Sequence, residues 1–168
     1  IVSSDDDEIL SISEQNGIDL IKRPDDLASD TTTTFDVVKH VMDNRKKYNY
    51  IVLLQPTSPL RNETHIDAAI VLLAQKKADA IISVCKMEHS PLWSNKLPTN
   101  GSMSGFLQKE ILNKRSQDLP EYYRINGAIY LIDISRLLNE KTMFISDNIY
   151  AYKMDRKSSV DIDENIDF

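Results

Sequence analysis

Tyr50-Ile51-Val52-Leu53-Leu54 is an unbroken apolar run, and it restricts the fold more than any other stretch of the chain. It falls far short of the ~20 residues that a membrane-spanning helix needs. It offers no polar face to water, so it predicts a strand covered on both sides, as in a parallel sheet between layers of helix. A helical pattern follows from Glu63 to Lys77, with Ile66, Ala69, Ile70 and Leu73 as its apolar face. A second buried run, Ala80 to Val84, comes directly after it.

The same alternation extends in both directions. Ile1 to Ser4 has the character of a strand end, and a helix is expected from Asp5, capped by Ser4 or Asp5 and closed at Asn16-Gly17. Ile18 to Ile21 predicts a short strand, and Phe35 to Met42 a helix behind the cap-forming Thr31 to Thr34. Further on, Gly127 to Ile132 and Tyr150 to Met154 predict strands around a short helix at Ile134 to Leu138. The expected fold is α/β, a mostly parallel sheet with helices on both faces and right-handed crossovers. Residues 87–123 break the pattern with prolines and glycines between apolar residues, and are expected to form an inserted arm. Because the chain opens in the middle of a strand–turn–helix unit, further residues are expected upstream.

Composition narrows the function. At 168 residues the chain fits one domain, 1–168, and a net charge of −6 argues against nucleic acid as a partner. No stretch predicts a membrane span. Cys85, the single cysteine, cannot form an internal disulfide, which fits a reducing cytoplasm. On its apolar strand it is expected to be a buried small hydrophobe. His40, His65 and His89 have no metal-ligand spacing, and Lys39-His40 is expected to be an exposed pair on a helix. Neither a Walker loop nor a Gly-x-Gly-x-x-Gly motif occurs.

In open α/β sheets ligands gather at the carboxyl ends of strands. Gln55-Pro56-Thr57-Ser58-Pro59 stands at such an end, its backbone stiffened by two prolines and followed by the fixed charge of Arg61. Asp161 and Asp163, at i and i+2 of an extended segment, offer hard carboxylate oxygens suited to Mg²⁺. With Asp155, Glu164 and Asp167 nearby, the same pair also fits a solvated acidic tail.

Leu53-Leu54-Gln55-Pro56-Thr57-Ser58-Pro59-Leu60-Arg61 resembles the signature of the acylneuraminate cytidylyltransferases, the CMP–sialic acid synthetases. Val2-Ser3-Ser4-Asp5, Arg23-Pro24…Asp30-Thr31, Gln117-Asp118-Leu119-Pro120, Asn126-Gly127-Ala128-Ile129-Tyr130 and Ser159-Val160-Asp161-Ile162-Asp163 resemble further segments of that family in order and spacing. The resemblance implies a Rossmann-like nucleotidyltransferase that joins CTP to a nine-carbon α-keto sugar acid, giving a CMP-sugar and pyrophosphate for lipopolysaccharide or capsule biosynthesis. It implies catalytic roles for Gln55, Asp161 and Asp163, with the two aspartates holding Mg²⁺ or Mn²⁺. It assigns nucleotide contacts to Arg23, Thr32, Thr34 and Gln55, and sugar contacts to Gln55, Arg124 and Phe144. It also implies a homodimer in which the 87–123 arm embraces the second subunit and brings Arg124 to the partner's sugar site; the arm also fits an intramolecular lid over the active site.

Taken alone, Arg23 also fits a surface loop charge, the threonines also fit helix caps, and Arg61 also fits ion pairing at a helix start. Two departures leave the sugar open among N-acetylneuraminic, legionaminic and pseudaminic acids. Ile125 follows Arg124 where sialic acid enzymes often have proline, and Met143-Phe144 stands where they often carry two phenylalanines. The family's N-terminal phosphate-binding loop has no counterpart in residues 1–168. Two alternatives are a glycosyltransferase using Asp161-x-Asp163 or Asp5-x-Asp7 with a metal, and a non-catalytic dimerisation fragment.

Overall fold

The apolar runs become strands. In the computed structural model, which describes residues 1–45 and 48–167, the chain begins with β1 (Val2–Ser4), α1 (Asp7–Gln15) and β2 (Leu20–Lys22). It continues through α2 (Thr34–Asp43), β3 (Tyr50–Leu53), α3 (Glu63–Lys76) and β4 (Ala80–Lys86). The last elements are β5 (Tyr123–Asp133), α4 (Ile134–Glu140) and β6 (Ile149–Met154). The cap of α1 is Asp6 rather than Ser4 or Asp5: its carboxylate accepts from the Glu8 and Ile9 amides, while Ser4 Oγ accepts from Asp6 N. Thr33 caps α2, accepting from Asp36 N at 3.2 Å.

The strands form two sheets. β1 and β2 pair in parallel, from Val2 opposite Leu20 to Ser4 opposite Lys22. The others form a four-stranded sheet in the order β3-β5-β4-β6. β3, β4 and β6 point the same way, as expected, and β5 alone runs against its two neighbours. The reason lies in its connection. A helical crossover carries the chain back to start a parallel strand, but residues 87–123 contain no α-helix and return the chain to the end of β4 where they left it. Tyr123 therefore pairs with Lys86 and the strand descends antiparallel.

Alternate residues of the strands feed two cores. On one face Ile81, Ile129 and Leu131 pack under α3 with Ala69 and Leu73; on the other Ala80, Ile82 and Ile132 meet Val38 of α2 and Leu137 of α4. Helices thus cover both faces. Ile70, expected on the buried face of α3, is instead 46% exposed, because the narrow stripe Ile66, Ala69 and Leu73 already fills the contact. His40 is not a simple surface residue either. It is partly buried, and its Nδ1 is buried without a hydrogen-bond partner. Cys85 is buried on β4 as expected.

Residues 87–123 hold two 3₁₀ turns, Pro91–Trp93 and Ser116–Asp118. Their apolar side chains divide: Leu97 and Met103 are exposed, while Leu92, Trp93, Phe106 and Leu107 are half-buried.

Candidate active site

β3 ends at Leu53, and the loop that follows folds onto β5. Ser58 N closes a turn on Gln55 O at 3.3 Å, and Ser58, fully buried, donates its hydroxyl to Asn126 O at 3.1 Å. Arg61 is a strap, with no ion pair among the described residues. Its Nη1 donates to Gln55 O at 3.1 Å and to Ala128 O at 2.9 Å. Burial pulls its pKa below the ordinary guanidinium value.

The loop docks on an irregularity that β4 and β5 share. Ile82 pairs with Tyr130 and Val84 with Ile125, so Ser83 alone faces residues 126–129. Ser83 Oγ takes over the lost ladder bonds, accepting from Ile129 N at 2.7 Å and bonding Asn126 Oδ1 at 2.6 Å. Gly127 has φ +74°, in the left-handed region. A Cβ there would overlap Gln55 Oε1 and come within 3.2 Å of Ser58 Oγ. Only glycine lets the Gln55 amide lie against this backbone.

A third segment joins from the C-terminal side. Ser159 O accepts from Arg124 Nη2 at 2.9 Å, and Ser159 Oγ accepts from Asn126 Nδ2 at 2.8 Å. Two residues on, Asp161 places Oδ1 in a buried position without a hydrogen-bond partner among the described residues. Ile162 N then donates to Thr57 O of the Gln55 loop at 2.8 Å. Asp163 is exposed, with its amide donating to Asp167 Oδ2 at 2.9 Å. Tyr130 stands edge-on to Phe144 at 6.1 Å, and its phenol is pushed above the ordinary value by burial and by the Asp161 charge.

Arg124 faces a cavity of about 220 Å³ lined also by Cys85, Lys86, Glu88, Arg156 and Ser159. Lys86 pairs with Glu121 and Arg156 with Glu88, whereas the Arg124 guanidinium bonds the main-chain carbonyls of Ile125 and Ser159. The charge of Arg124 is thus not neutralised by a carboxylate among the described residues.

The structure therefore brings Gln55, Arg124 and the Asp161 segment to one junction. Arg23, Thr32 and Thr34 make no hydrogen bond to that junction among the described residues. Arg23 Nη2 donates to Ser3 O at 2.7 Å, fastening β2 to the end of β1, and Thr32 Oγ1 lies 2.9 Å from Ser29 Oγ. Thr34 begins α2 one residue after its cap. Ser58, Asn126 and Ser159 stand in the sequence motifs without an expected role and Ser83 in none of them, although all four are at most 1% exposed. One sequence signal for them exists: polar residues interrupting apolar strand runs, as Ser83 does in Ala80–Val84.

The model of one family, described as cytidylyltransferase, matches residues 1–162. The chain belongs to that family. Among its family relatives, the N-acylneuraminate cytidylyltransferase of Escherichia coli O18:K1:H7 is 34% identical over all of this chain and 40% of its own length. That of Streptococcus agalactiae serotype V is 32% identical over 99% of this chain and 40% of its own. The chain thus spans well under half the length of these relatives. CMP-N,N'-diacetyllegionaminic acid synthase of Legionella pneumophila is 27% identical over the whole chain and 74% of its own length. In fold, the chain is similar to a CMP:2-keto-3-deoxy-manno-octonic acid synthetase solved with CTP. That likeness has a TM-score of 0.63 at 14% identity and covers 92% of this chain and 71% of the other.

Proposed function

We propose that the protein carrying this chain transfers a cytidylyl group from CTP to a sialic-acid-like nonulosonic acid. The observation that carries this is the β5 junction, which joins the Gln55 loop and the Asp161–Asp163 segment within a family-wide match. In the reaction the anomeric oxygen of the sugar acid forms a bond to the α-phosphorus, the bond to the bridging oxygen of the β-phosphate breaks, and pyrophosphate and a proton leave.

Each named residue has a task. Gln55, held at its carbonyl by Arg61 and against Gly127 at its amide, lies between nucleotide and sugar. Arg124 receives the sugar carboxylate, for which a guanidinium offers a bidentate fork. Phe144 and Tyr130 form an apolar wall for an acyl group, and Arg23, Thr32 and Thr34 meet the cytosine. Among the described residues no cluster of three acidic, histidine or cysteine side chains stands ready for a cation. Mg²⁺ does not require one, since it commonly takes one or two carboxylates plus substrate phosphates. The buried, unpartnered Oδ1 of Asp161 fits such a ligand. Asp161 and Asp163 would hold Mg²⁺ or Mn²⁺, which when bound neutralises phosphate charge.

The exposed Leu97 and Met103 support a homodimer through the 87–123 arm. Dependence on CTP and the lone reduced Cys85 support a cytoplasmic enzyme serving lipopolysaccharide or capsule biosynthesis. No helix among the described residues is long and apolar enough to cross a membrane. The test is pyrophosphate release by the intact protein from CTP and Mg²⁺ with N-acetylneuraminic, legionaminic and pseudaminic acids in turn. Release with one of them is expected; a glycosyltransferase or an inert fragment would release none. Sedimentation at tens of micromolar tests the dimer, which a persistent monomer contradicts.

A further inference from the structure

We propose that Asn126 is a positioning residue, the hub that sets where Asp161 stands relative to Gln55; this rests on the cytidylyl-transfer function proposed above. Asn126 is fully buried, and each of its side-chain groups is engaged by a different part of the chain. Oδ1 accepts from Ser83 Oγ on β4 at 2.6 Å and from Ala128 N at 3.3 Å. Nδ2 donates to Ser159 Oγ at 2.8 Å and faces Met154 Sδ at 3.4 Å. Its main-chain oxygen accepts from Ser58 of the Gln55 loop. One residue therefore ties together β4, the loop after β3 and the segment that leads to the aspartates.

The orientation of the amide follows from its surroundings. Ser159 spends its hydroxyl proton on Asp155 O at 2.5 Å, so toward Asn126 it can only accept. A flipped amide would set two lone-pair oxygens against each other, which makes the Nδ2 donor indispensable at this point. Asp161 lies between two tethers. Ser159 is held to Asn126 on one side, and Ile162 N is held to Thr57 O on the other. Both lead back to the loop carrying Gln55. Cutting the first leaves Ser159 held to β5 only at its carbonyl, by Arg124 Nη2, and loosens the carboxylate from the place where a cation and phosphate would need it.

Partners behind a metal ligand typically cost 10–100-fold in affinity or activity when removed. The experiment uses the intact protein containing this chain, wild type and Ser159→Ala, with Mn²⁺ titrated calorimetrically at saturating CTP, steady-state kinetics, and urea melts. Ser159→Ala is expected to weaken Mn²⁺ roughly tenfold and lower kcat roughly ten- to a hundredfold, while KM for CTP at saturating Mn²⁺ stays within about twofold. A merely structural serine would shift the melt and leave the Mn²⁺ affinity of the folded fraction alone. Ser159→Cys, which keeps the volume and a weak acceptor, should lie between the two and carries the comparison if Ser159→Ala does not fold. Wild-type Mn²⁺ affinity and kcat in both variants would overturn the positioning role while leaving cytidylyl transfer standing. A wild-type protein that neither binds Mn²⁺ with CTP nor releases pyrophosphate would overturn both.

Discussion

The β5 junction and the β1–α1–β2 unit both present polar side chains at strand ends, and they are held in opposite ways. At the junction four side chains, Ser58, Ser83, Asn126 and Ser159, are buried and bonded across gaps of 33 to 68 positions in the chain. In the β1–α1–β2 unit Leu10 is the one buried apolar side chain, Ile1, Ile9, Ile12 and Ile18 are exposed, and Arg23 bonds only the neighbouring strand. A buried hydrogen bond leaves an unpaired group behind when it breaks, at about 1–3 kcal/mol, whereas an exposed one is replaced by water. The junction is therefore preorganised, and the β1–α1–β2 unit with its Arg23 loop is adjustable. Substitutions at the junction should damage the rate; those in the loop should damage binding.

The largest effect is expected at Gly127. Gly127→Ala forces a side chain into a positive φ, about 1–2 kcal/mol of stability, and pushes the Gln55 amide, a side-chain end that can move, off this backbone. It should lower kcat by roughly 100-fold or more, read by pyrophosphate release and urea unfolding together. A stable, active Gly127→Ala protein would break the contrast. Next comes Asp163→Asn, which keeps shape and removes charge from an exposed residue. Activity should fall about 100-fold or more, since charge neutralisation at the phosphates supplies several kcal/mol, with folding nearly unchanged. Near-normal turnover at low Mg²⁺ would remove Asp163 from the site.

Arg61→Met should be intermediate, because it strips Ala128 O of its Arg61 donor and leaves Gln55 O with the Ser58 amide alone. A loss of about 1–3 kcal/mol is expected, visible in both unfolding and kcat. Arg23→Ala should act differently, weakening CTP binding by about 1–3 kcal/mol in calorimetry while kcat at saturating CTP holds. A fall in kcat as large as that of Arg61→Met would mean that the loop is as preorganised as the junction.

The smallest effect concerns acid stability. Asp155 accepts from Ser158 N at 2.7 Å, and hydrogen bonds from Ser158 hold its carboxyl below the usual carboxylate range. The folded pKa is thus lower than the unfolded value of about 3.9. Its contribution is full above that value and is lost as pH falls through the lower folded pKa. Asp155→Asn should flatten the acid limb of the urea midpoint slightly, and an unchanged limb would show that this turn does not help hold Ser159.

Much of the molecule is legible from the sequence because periodicity is local. Runs such as Tyr50–Leu54 and Ala80–Val84 declare themselves strands by having no polar face, and α3 shows itself in a 3–4 spacing. The Gln55 motif and the paired aspartates are legible too, through the company they keep. Tertiary structure alone decided that β5 runs backwards, since nothing within residues 123–133 encodes which end of the sheet the chain returns to. It also decided that Gly127 is required by Gln55 and that Asn126 reaches Ser58, Ser83 and Ser159. Those partners lie tens of residues away, and a polar residue in an apolar run announces that it needs a hydrogen-bond partner without saying which one. Burial made the choice, because with water excluded each group had to be satisfied by whatever the sheet brought beside it.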